Sequence, residues 1–272
     1  MKKIGFVDYY LSEWHANKYP AWIQKANEAL GTDYTVAYAW AELDVSPRNG
    51  VTSAEWCEKY GTTLCASLEE LCEKSDVILV LAPSDPDRHL PYARTVLSYG
   101  KPTYIDKTFA PCLADAEEIF ALAKQYGTPF FSTSALRYAD ELKDLDEVSN
   151  LIVTGGGGNL PEYLIHQVEM AVMLLQDPAQ NVVTHKQGTQ VISHVTTLHG
   201  AGASFVFDPK LPFTVAAELA DGTHTYRTIN SDFFFGLIED ILRFYETQST
   251  SFDPAQTLEV MHMRDMILNS LS

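Results

Sequence analysis

Apolar and polar positions along the first half of the chain fall into short blocks that predict strands and helices in alternation. Runs rich in apolar, aromatic and β-branched residues predict strands at Lys3–Asp8, Tyr34–Trp40, Asp76–Ala82, Pro102–Asp106 and Pro129–Thr133. The run at Asp76–Ala82 is continuously apolar, which is typical of a central parallel strand that is covered on both faces.

Segments in which apolar residues recur at helical spacing lie between these strands. They are Ala16–Leu30, Thr52–Gly61, Ser67–Cys72, His89–Tyr99 and Leu113–Tyr126. Thr52 with Glu55, and Ser67 with Glu70, have the spacing of a capping box, which marks the start of a helix. The alternation of strands and helices predicts an α/β fold with a Rossmann-type doubly wound parallel sheet.

The second half of the chain has a different pattern. A short apolar strand and a run of four glycines, Gly155–Gly158, precede a predicted helix at Pro161–Gln176. Several alternating segments then extend from 181 to 230, with a hairpin signal at Asp221-Gly222, and two helices close the chain. We therefore predict a Rossmann-type domain at 1–134, followed at 135–272 by an α+β domain with an open antiparallel sheet.

Charge and cysteine content narrow the class of protein. The chain has 272 residues, with 19 Lys and Arg against 36 Asp and Glu, for a formal net charge of −17. Such a chain repels phosphate backbones, so no nucleic acid partner is expected. No signal peptide and no apolar run long enough to span a membrane are predicted, and the four cysteines lack zinc spacing. We expect a cytoplasmic protein with reduced thiols and no metal site.

The tripeptide Asp106-Lys107-Thr108 is the clearest candidate for chemistry. It directly follows a predicted strand, and in an open α/β sheet the carboxyl ends of the strands border the ligand crevice. A lysine there can hold an alcohol or carbonyl oxygen or exchange a proton with it. The tripeptide alone also fits a solvated lysine on a loop.

Four segments, taken in order, resemble the glucose–fructose oxidoreductase / inositol dehydrogenase / MocA (Gfo/Idh/MocA) family. The first combines DVILVLAPSDPDRH (76–89) with YGKPTYIDKTFA (99–110), and the second is AEEIFALAKQYGTPFFSTSALRY (116–138). The third is the glycine run with its helix, GGGNLPEYLIHQVEM (156–170), and the fourth is DPAQTLEVMHMRDMILNS (253–270). Together these segments span nearly the whole chain.

This resemblance implies an NAD- or NADP-dependent oxidoreductase that acts on a sugar, a cyclitol or a related hydroxy compound. Lys107 falls on the family's catalytic lysine, His166 on its histidine and Glu162 on its aspartate. Glu162 and His166 are four residues apart, so they share a helix face on which a carboxylate can orient an imidazole. Glu169 lies near the same face, and ordinary helix packing or a metal site there are the other interpretations. The family also favours a homodimer or homotetramer.

The glycine-rich dinucleotide turn of such families is missing. Between the first strand and the first helix only Gly5 remains, inside the strand, while Asp8 and Glu13 would repel a pyrophosphate and Tyr9, Tyr10 and Trp14 would crowd it. The residues expected to line any remaining cofactor site are Asp8, Tyr9, Tyr10, Glu42, Pro83, Ser84, His89 and Asp106. The alternative hypothesis is a non-catalytic protein of this family that binds or senses a small ligand.

Overall fold

A computed structural model describes residues 1–271 and divides the chain into two compact units. The first unit combines Met1–Ser132 with Leu237–Phe252, and the second combines Thr133–Gly236 with the segment that begins at Asp253. The sequence prediction assigned everything after residue 134 to the second domain. The structure differs, because most of a late helix belongs to the first unit.

The first unit is built on a six-stranded, wholly parallel sheet. Its strands are β1 (Lys2–Asp8), β2 (Tyr34–Ala41), β3 (Thr63–Leu64), β4 (Val77–Val80), β5 (Thr103–Ile105) and β6 (Phe130–Phe131). Their order is β3-β2-β1-β4-β5-β6, the order of a doubly wound dinucleotide-binding fold. The predicted α/β class is confirmed. Only the two-residue strand β3 was not predicted.

Five helices connect these strands. They are α1 (Trp14–Leu30), α2 (Ser53–Tyr60), α3 (Leu68–Lys74), α4 (His89–Val96) and α5 (Leu113–Tyr126). The capping box predicted at Thr52 and Glu55 is present, and it starts α2. The second predicted box is only half formed, because the Ser67 hydroxyl caps Glu70 N while the Glu70 carboxylate accepts from Ala66 N at 2.7 Å.

Gly5 lies in β1 because α3 approaches the strand too closely for a side chain. A Cβ atom at this position would come within 2.3 Å of Ser75 Oγ and 2.6 Å of Leu71 Cδ2. The one glycine left near the first turn therefore has a packing role, which the sequence pattern did not reveal.

The second unit contains a six-stranded mixed sheet with helices. The strands are β7 (Val148–Gly155), β8 (Ala179–Gln187), β9 (Gln190–Thr197), β10 (Gly202–Phe207), β11 (Thr214–Leu219) and β12 (His224–Thr228), in the order β12-β11-β7-β10-β9-β8. The predicted open antiparallel sheet is present, with one pair of strands, β7 and β10, that run in parallel. The chain leaves β7 through helix α6 (Leu160–Leu175) and returns by way of the β8–β9 hairpin, which brings β10 alongside β7 in the same direction.

Two further helices complete the chain, α7 (Phe233–Thr247) and α8 (Ala255–Asn269). Aromatic residues explain why α7 belongs mainly to the first unit. Tyr245 donates to the Ile78 carbonyl at 2.7 Å, and the rings of Phe244 and Phe131 lie 4.9 Å apart. Helix α8 packs in the second unit, where Arg264 donates to the Pro161 carbonyl at 2.9 Å.

None of the helices within residues 1–271 has the length and apolar character needed to cross a membrane. All four cysteines are free thiols, and burial raises the pKa of Cys57 to about 11 and that of Cys72 to about 12.

Candidate functional site

The carboxyl ends of the parallel strands form the candidate site of the first unit. The strand order reverses between β1 and β4, and doubly wound sheets bind ligands outside the strand ends at such a point. Asp8 ends β1, Pro83 follows β4, and Asp106 and Lys107 follow β5. The structure therefore brings these sequence-predicted residues to one edge of the sheet.

Lys107 is buried at this edge and is not a solvated loop lysine. Lys107 is 9% exposed, and its Nζ donates to the Pro83 carbonyl at 3.2 Å. The peptide that joins Lys107 to Thr108 is cis. A lysine ammonium carries three donor hydrogens, so a single carbonyl leaves it capacity to bind the oxygen of a ligand.

Asp8 connects the two strands that flank the reversal. Its Oδ1 accepts from Tyr9 N at 2.7 Å and from Ala82 N at 3.1 Å, and Ala82 has a left-handed backbone with φ of 55°. Burial, with a contribution from the negative charge of Glu13, holds the pKa of Asp8 well above its usual range. Its Oδ2 is buried without a hydrogen-bond partner among residues 1–271.

Asp106 lies beside Asp8 in this acidic cluster, which we define as Asp8, Glu13 and Asp106. Its Oδ1 accepts from Tyr104 Oη at 3.0 Å and from Tyr19 Oη at 3.5 Å. Burial is the main cause that raises the pKa of Tyr19, and the Asp106 carboxylate raises it further. Since Asp106 is only 1% exposed, it acts within the interior of the unit and not on its surface.

Glu13, the third member of the cluster, caps the first helix. Its carboxylate accepts from the backbone N–H groups of His15, at 2.8 Å, and Ala16. The His15 ring lies against the same carboxylate, with Nδ1 at 3.1 Å from Oε2. The predicted helix began at Ala16, so the sequence interpretation saw Glu13 only as a repelling charge and missed its capping role.

The turn between β1 and α1 is covered by the loop that follows β2. Ser46 Oγ donates to the Ser12 carbonyl at 3.1 Å, Asn49 Nδ2 donates to Ser12 Oγ at 3.0 Å, and Arg48 Nε donates to Tyr10 Oη at 2.6 Å. These contacts bury the turn between them. Arg48 was not a sequence candidate, because nothing local indicates that a loop 38 residues away reaches this turn.

Glu42, the expected ribose partner, already has two partners within the unit. Tyr92 Oη donates to Glu42 Oε2 at 2.8 Å, and Arg88 Nη1 lies 3.1 Å from Glu42 Oε1. The Arg88 guanidinium also stacks 4.7 Å above the Tyr9 ring. Arg88 is a second basic residue of this edge that sequence reasoning missed.

Ser84 and His89, two of the expected cofactor residues, differ in how far they are exposed at the carboxyl edge of the sheet. Ser84 is partly exposed in the loop after β4. His89 is fully buried, with Nε2 at 2.5 Å from the Leu81 carbonyl and Nδ1 at 3.0 Å from the Phe109 carbonyl. Burial lowers the pKa of His89. Because both ring nitrogens contact backbone, His89 ties two loops together and is not placed to contact a cofactor.

The second unit holds the histidine candidate. His166, on α6, has its Nδ1 2.7 Å from Ser134 Oγ, and its ring packs edge-on against Phe213 at 5.6 Å. Glu162 lies one turn earlier on α6, where it shares hydrogen bonds with Asn159, the residue that caps the helix. Ser134 is thus the partner of His166 that the sequence did not reveal.

Glu169 is part of a buried ion pair. Its Oε1 accepts from Arg137 Nε at 2.6 Å and from Thr133 Oγ1 at 2.6 Å. The side chains of Arg137 and Glu169 are 6% and 4% exposed. No group of three metal-ligating side chains with suitable geometry occurs within residues 1–271. The alternative of a metal on this helix face therefore has no geometric support.

Comparisons with known proteins agree with the fold. Residues 37–134 match the oxidoreductase family with an NAD-binding Rossmann fold, Gfo/Idh/MocA. The Escherichia coli (strain K12) protein named uncharacterized oxidoreductase YhhX is 41% identical over 68 residues, which are 24% of this chain and 20% of that protein. The match thus spans about a fifth of that relative.

Two solved structures share the fold over both chains. UDP-N-acetylglucosamine 3-dehydrogenase GnnA from Acidithiobacillus ferrooxidans has a TM-score of 0.77 at 11% identity, covering 98% of this chain and 97% of that one. GenD2 from gentamicin A biosynthesis, in complex with NAD, has a TM-score of 0.77 at 13% identity, covering 99% and 94%. The chain shares the two-unit α/β fold of these structures, and its residues 37–134 match the Gfo/Idh/MocA oxidoreductase family.

The residues of the first turn do not fit the pyrophosphate of a dinucleotide in the usual position. That position is the N-terminus of the first helix, approached through a glycine-rich turn. Here the Glu13 carboxylate already binds the helix N–H groups, and Asp8 adds a second buried carboxyl group. The family match begins at residue 37, after this turn.

Proposed function

We propose that the protein is an oxidoreductase that acts on a hydroxyl group of a sugar, a cyclitol or a related small molecule, with NAD or NADP as cofactor. The family match over residues 37–134 supports the reaction class, and the name of the structurally similar UDP-N-acetylglucosamine 3-dehydrogenase GnnA supports the substrate class. The observation that carries the proposal is the Lys107 ammonium, which is buried at the carboxyl edge of the sheet and held by one backbone carbonyl.

Lys107 has the chemistry that alcohol oxidation requires. The hydroxyl of the substrate must lose its proton while its carbon gives a hydride to the nicotinamide. Lys107 can take that proton as a neutral amine, and the ammonium so formed can then donate to the oxygen. The role of Lys107 is therefore to bind the substrate oxygen and exchange its proton.

His166 is proposed as a second proton-exchanging group, on the second unit. Histidine is the side chain that most often exchanges protons in enzymes, and the Ser134 hydroxyl, 2.7 Å from Nδ1, fixes the orientation of the His166 ring. Glu162 is proposed to orient the His166 imidazole from the preceding turn of α6, as the spacing of four residues suggests.

The test is dinucleotide reduction with a panel of polyols, sugars and cyclitols. Lys107→Ala is expected to lower turnover by roughly 10² or more, because a positioned proton-transfer group contributes about that factor. Lys124→Ala, an exposed lysine of α5, is the matched control and should leave the rate unchanged. An unaffected rate in Lys107→Ala would remove this residue from the mechanism.

A second candidate function is non-catalytic binding of the same class of ligand. The capping of α1 by Glu13 favours it, because a protein that no longer binds a dinucleotide has no use for an open phosphate site. Calorimetry with the polyol panel distinguishes the two. Binding that is lost in Lys107→Ala, without reduction of either dinucleotide, would support the binding protein and exclude the dehydrogenase.

We also propose a homodimer or homotetramer formed through the mixed sheet of the second unit. One row across its strands includes Tyr226, Ile152 and Val183, which are 64%, 50% and 58% exposed, and Ile192 of the next row is 49% exposed. An apolar sheet face of this kind is typical of an interface. Light scattering should show an oligomer that Ile152→Lys dissociates, and a wild-type monomer would contradict the proposal.

A further inference from the structure

The first turn of α1 corresponds to the position at which doubly wound folds bind a dinucleotide. A helix leaves its first four N–H groups without intrahelical partners, and in doubly wound folds the cofactor pyrophosphate binds there. In this 17-residue helix the Glu13 carboxylate accepts from His15 N and Ala16 N, so an internal anion holds the donors that a phosphate would use.

The turn that leads to α1 is filled with side chains. Tyr10, Leu11, Ser12 and Glu13 are all at most 8% exposed. The loop after β2 holds this turn through Ser46, Arg48 and Asn49. A pyrophosphate needs a turn without side chains so that the backbone can approach it, and this turn offers no such approach.

The charges around the turn also oppose a phosphate. Asp8 and Asp106 are buried next to Glu13, and the basic residues of this edge already have partners. His15 lies between the Glu13 and Asp106 carboxylates, Arg48 binds the Tyr10 hydroxyl, Arg88 pairs with Glu42, and Lys107 donates to the Pro83 carbonyl. A diphosphate placed here would add negative charge to three carboxyl groups within a low-dielectric interior.

The ribose end of the dinucleotide position is occupied in the same way. In such folds an acidic residue after the second strand binds the ribose hydroxyls. Glu42 has that place, and both of its oxygens already have partners in Tyr92 and Arg88.

From these contacts we infer that the Glu13 carboxylate stands in for the cofactor pyrophosphate. While Glu13 caps α1, a dinucleotide does not bind with its phosphates at the N-terminus of this helix. The inference rests on the proposed cofactor class but concerns only where its phosphates lie, since a dinucleotide whose phosphates bind elsewhere on the sheet edge would still serve the proposed turnover.

The test uses ADP-ribose, which contains the pyrophosphate and both riboses but no nicotinamide. Its affinity for the full chain is measured by calorimetry for the wild type, Glu13→Gly and Glu13→Gln. Glycine is tolerated at helix N-caps and frees the N–H groups, whereas glutamine retains the cap and removes only the charge. Glu28→Gln, an exposed position on the same helix, is the control.

Glu13→Gly is expected to bind ADP-ribose about tenfold or more tightly than the wild type and Glu28→Gln, since its freed N–H groups can form charge-assisted hydrogen bonds with phosphate. Glu13→Gln should fall between them, and it remains informative if the glycine variant does not fold. No gain in either Glu13 variant relative to Glu28→Gln would overturn the inference.

Discussion

Two buried polar clusters in this protein differ in the sign of their charges. In the second unit, Glu169 is paired with Arg137 at 2.6 Å. In the first unit, Asp8, Glu13 and Asp106 are buried together, and Asp8 responds with a pKa well above its usual range. Opposite charges compensate each other's loss of hydration, whereas like charges do not.

The difference indicates what each cluster contributes. The Arg137–Glu169 pair fixes the segment after β6 against α6, which is a structural role. The burial of Asp8 beside Glu13 raises the free energy of the folded state, and buried carboxyl groups of this kind are concentrated at functional sites. Its place at the strand reversal, where relatives of this fold bind nucleotides, agrees with a function in ligand selection.

Removing one member of the opposite-charge pair should have the largest effect on stability. Glu169→Ala leaves the Arg137 guanidinium buried without its carboxylate, which is expected to destabilise the fold by about 3–5 kcal/mol. Chemical denaturation of both proteins measures the loss. The double variant Arg137→Met/Glu169→Leu should recover much of it, and a near-neutral Glu169→Ala would show that the pair is not a structural element.

Removing a charge from the acidic cluster should instead stabilise the folded protein. Asp8→Asn keeps an oxygen that can accept from Tyr9 N and Ala82 N but removes a buried charge. A raised pKa means that the ionised Asp8 carboxylate destabilises the folded state, so we expect chemical denaturation to show Asp8→Asn as more stable than the wild type at neutral pH.

The pH dependence gives a second readout of Asp8. A carboxyl group with a raised pKa binds its proton more tightly in the folded state, so its contribution disfavours folding above that pKa and the cost disappears as the pH falls towards the unfolded value near 4. The advantage of Asp8→Asn should therefore shrink on acidification. An equal or growing advantage at pH 4 would contradict a raised pKa at this residue.

The sequence predicted the elements that depend on local pattern. The parallel strands, the cap at Thr52 and the position of Lys107 after β5 all follow from short segments, and the structure has them. The role of Lys107 in catalysis stays a prediction, as do those of His166 and Glu162.

The remaining features depend on residues far apart in the chain. Arg48 meets Tyr10 across 38 positions, and Arg137 meets Glu169 across 32, so no local pattern reveals either contact. The parallel pairing of β7 with β10 and the packing of α7 in the first unit are long-range in the same sense. The capping role of Glu13 depends only on neighbouring residues, but the sequence did not reveal it because an acidic residue before a helix can either cap the helix or repel a ligand.

The central claim is that the acidic cluster governs nucleotide access while Lys107 acts on the substrate. Calorimetric titration of NAD into Glu13→Gly and Lys107→Ala side by side tests it directly. The account predicts about tenfold tighter NAD binding than the wild type for Glu13→Gly, and an affinity within about twofold of the wild type for Lys107→Ala. Unchanged binding in Glu13→Gly together with a large loss in Lys107→Ala would contradict it.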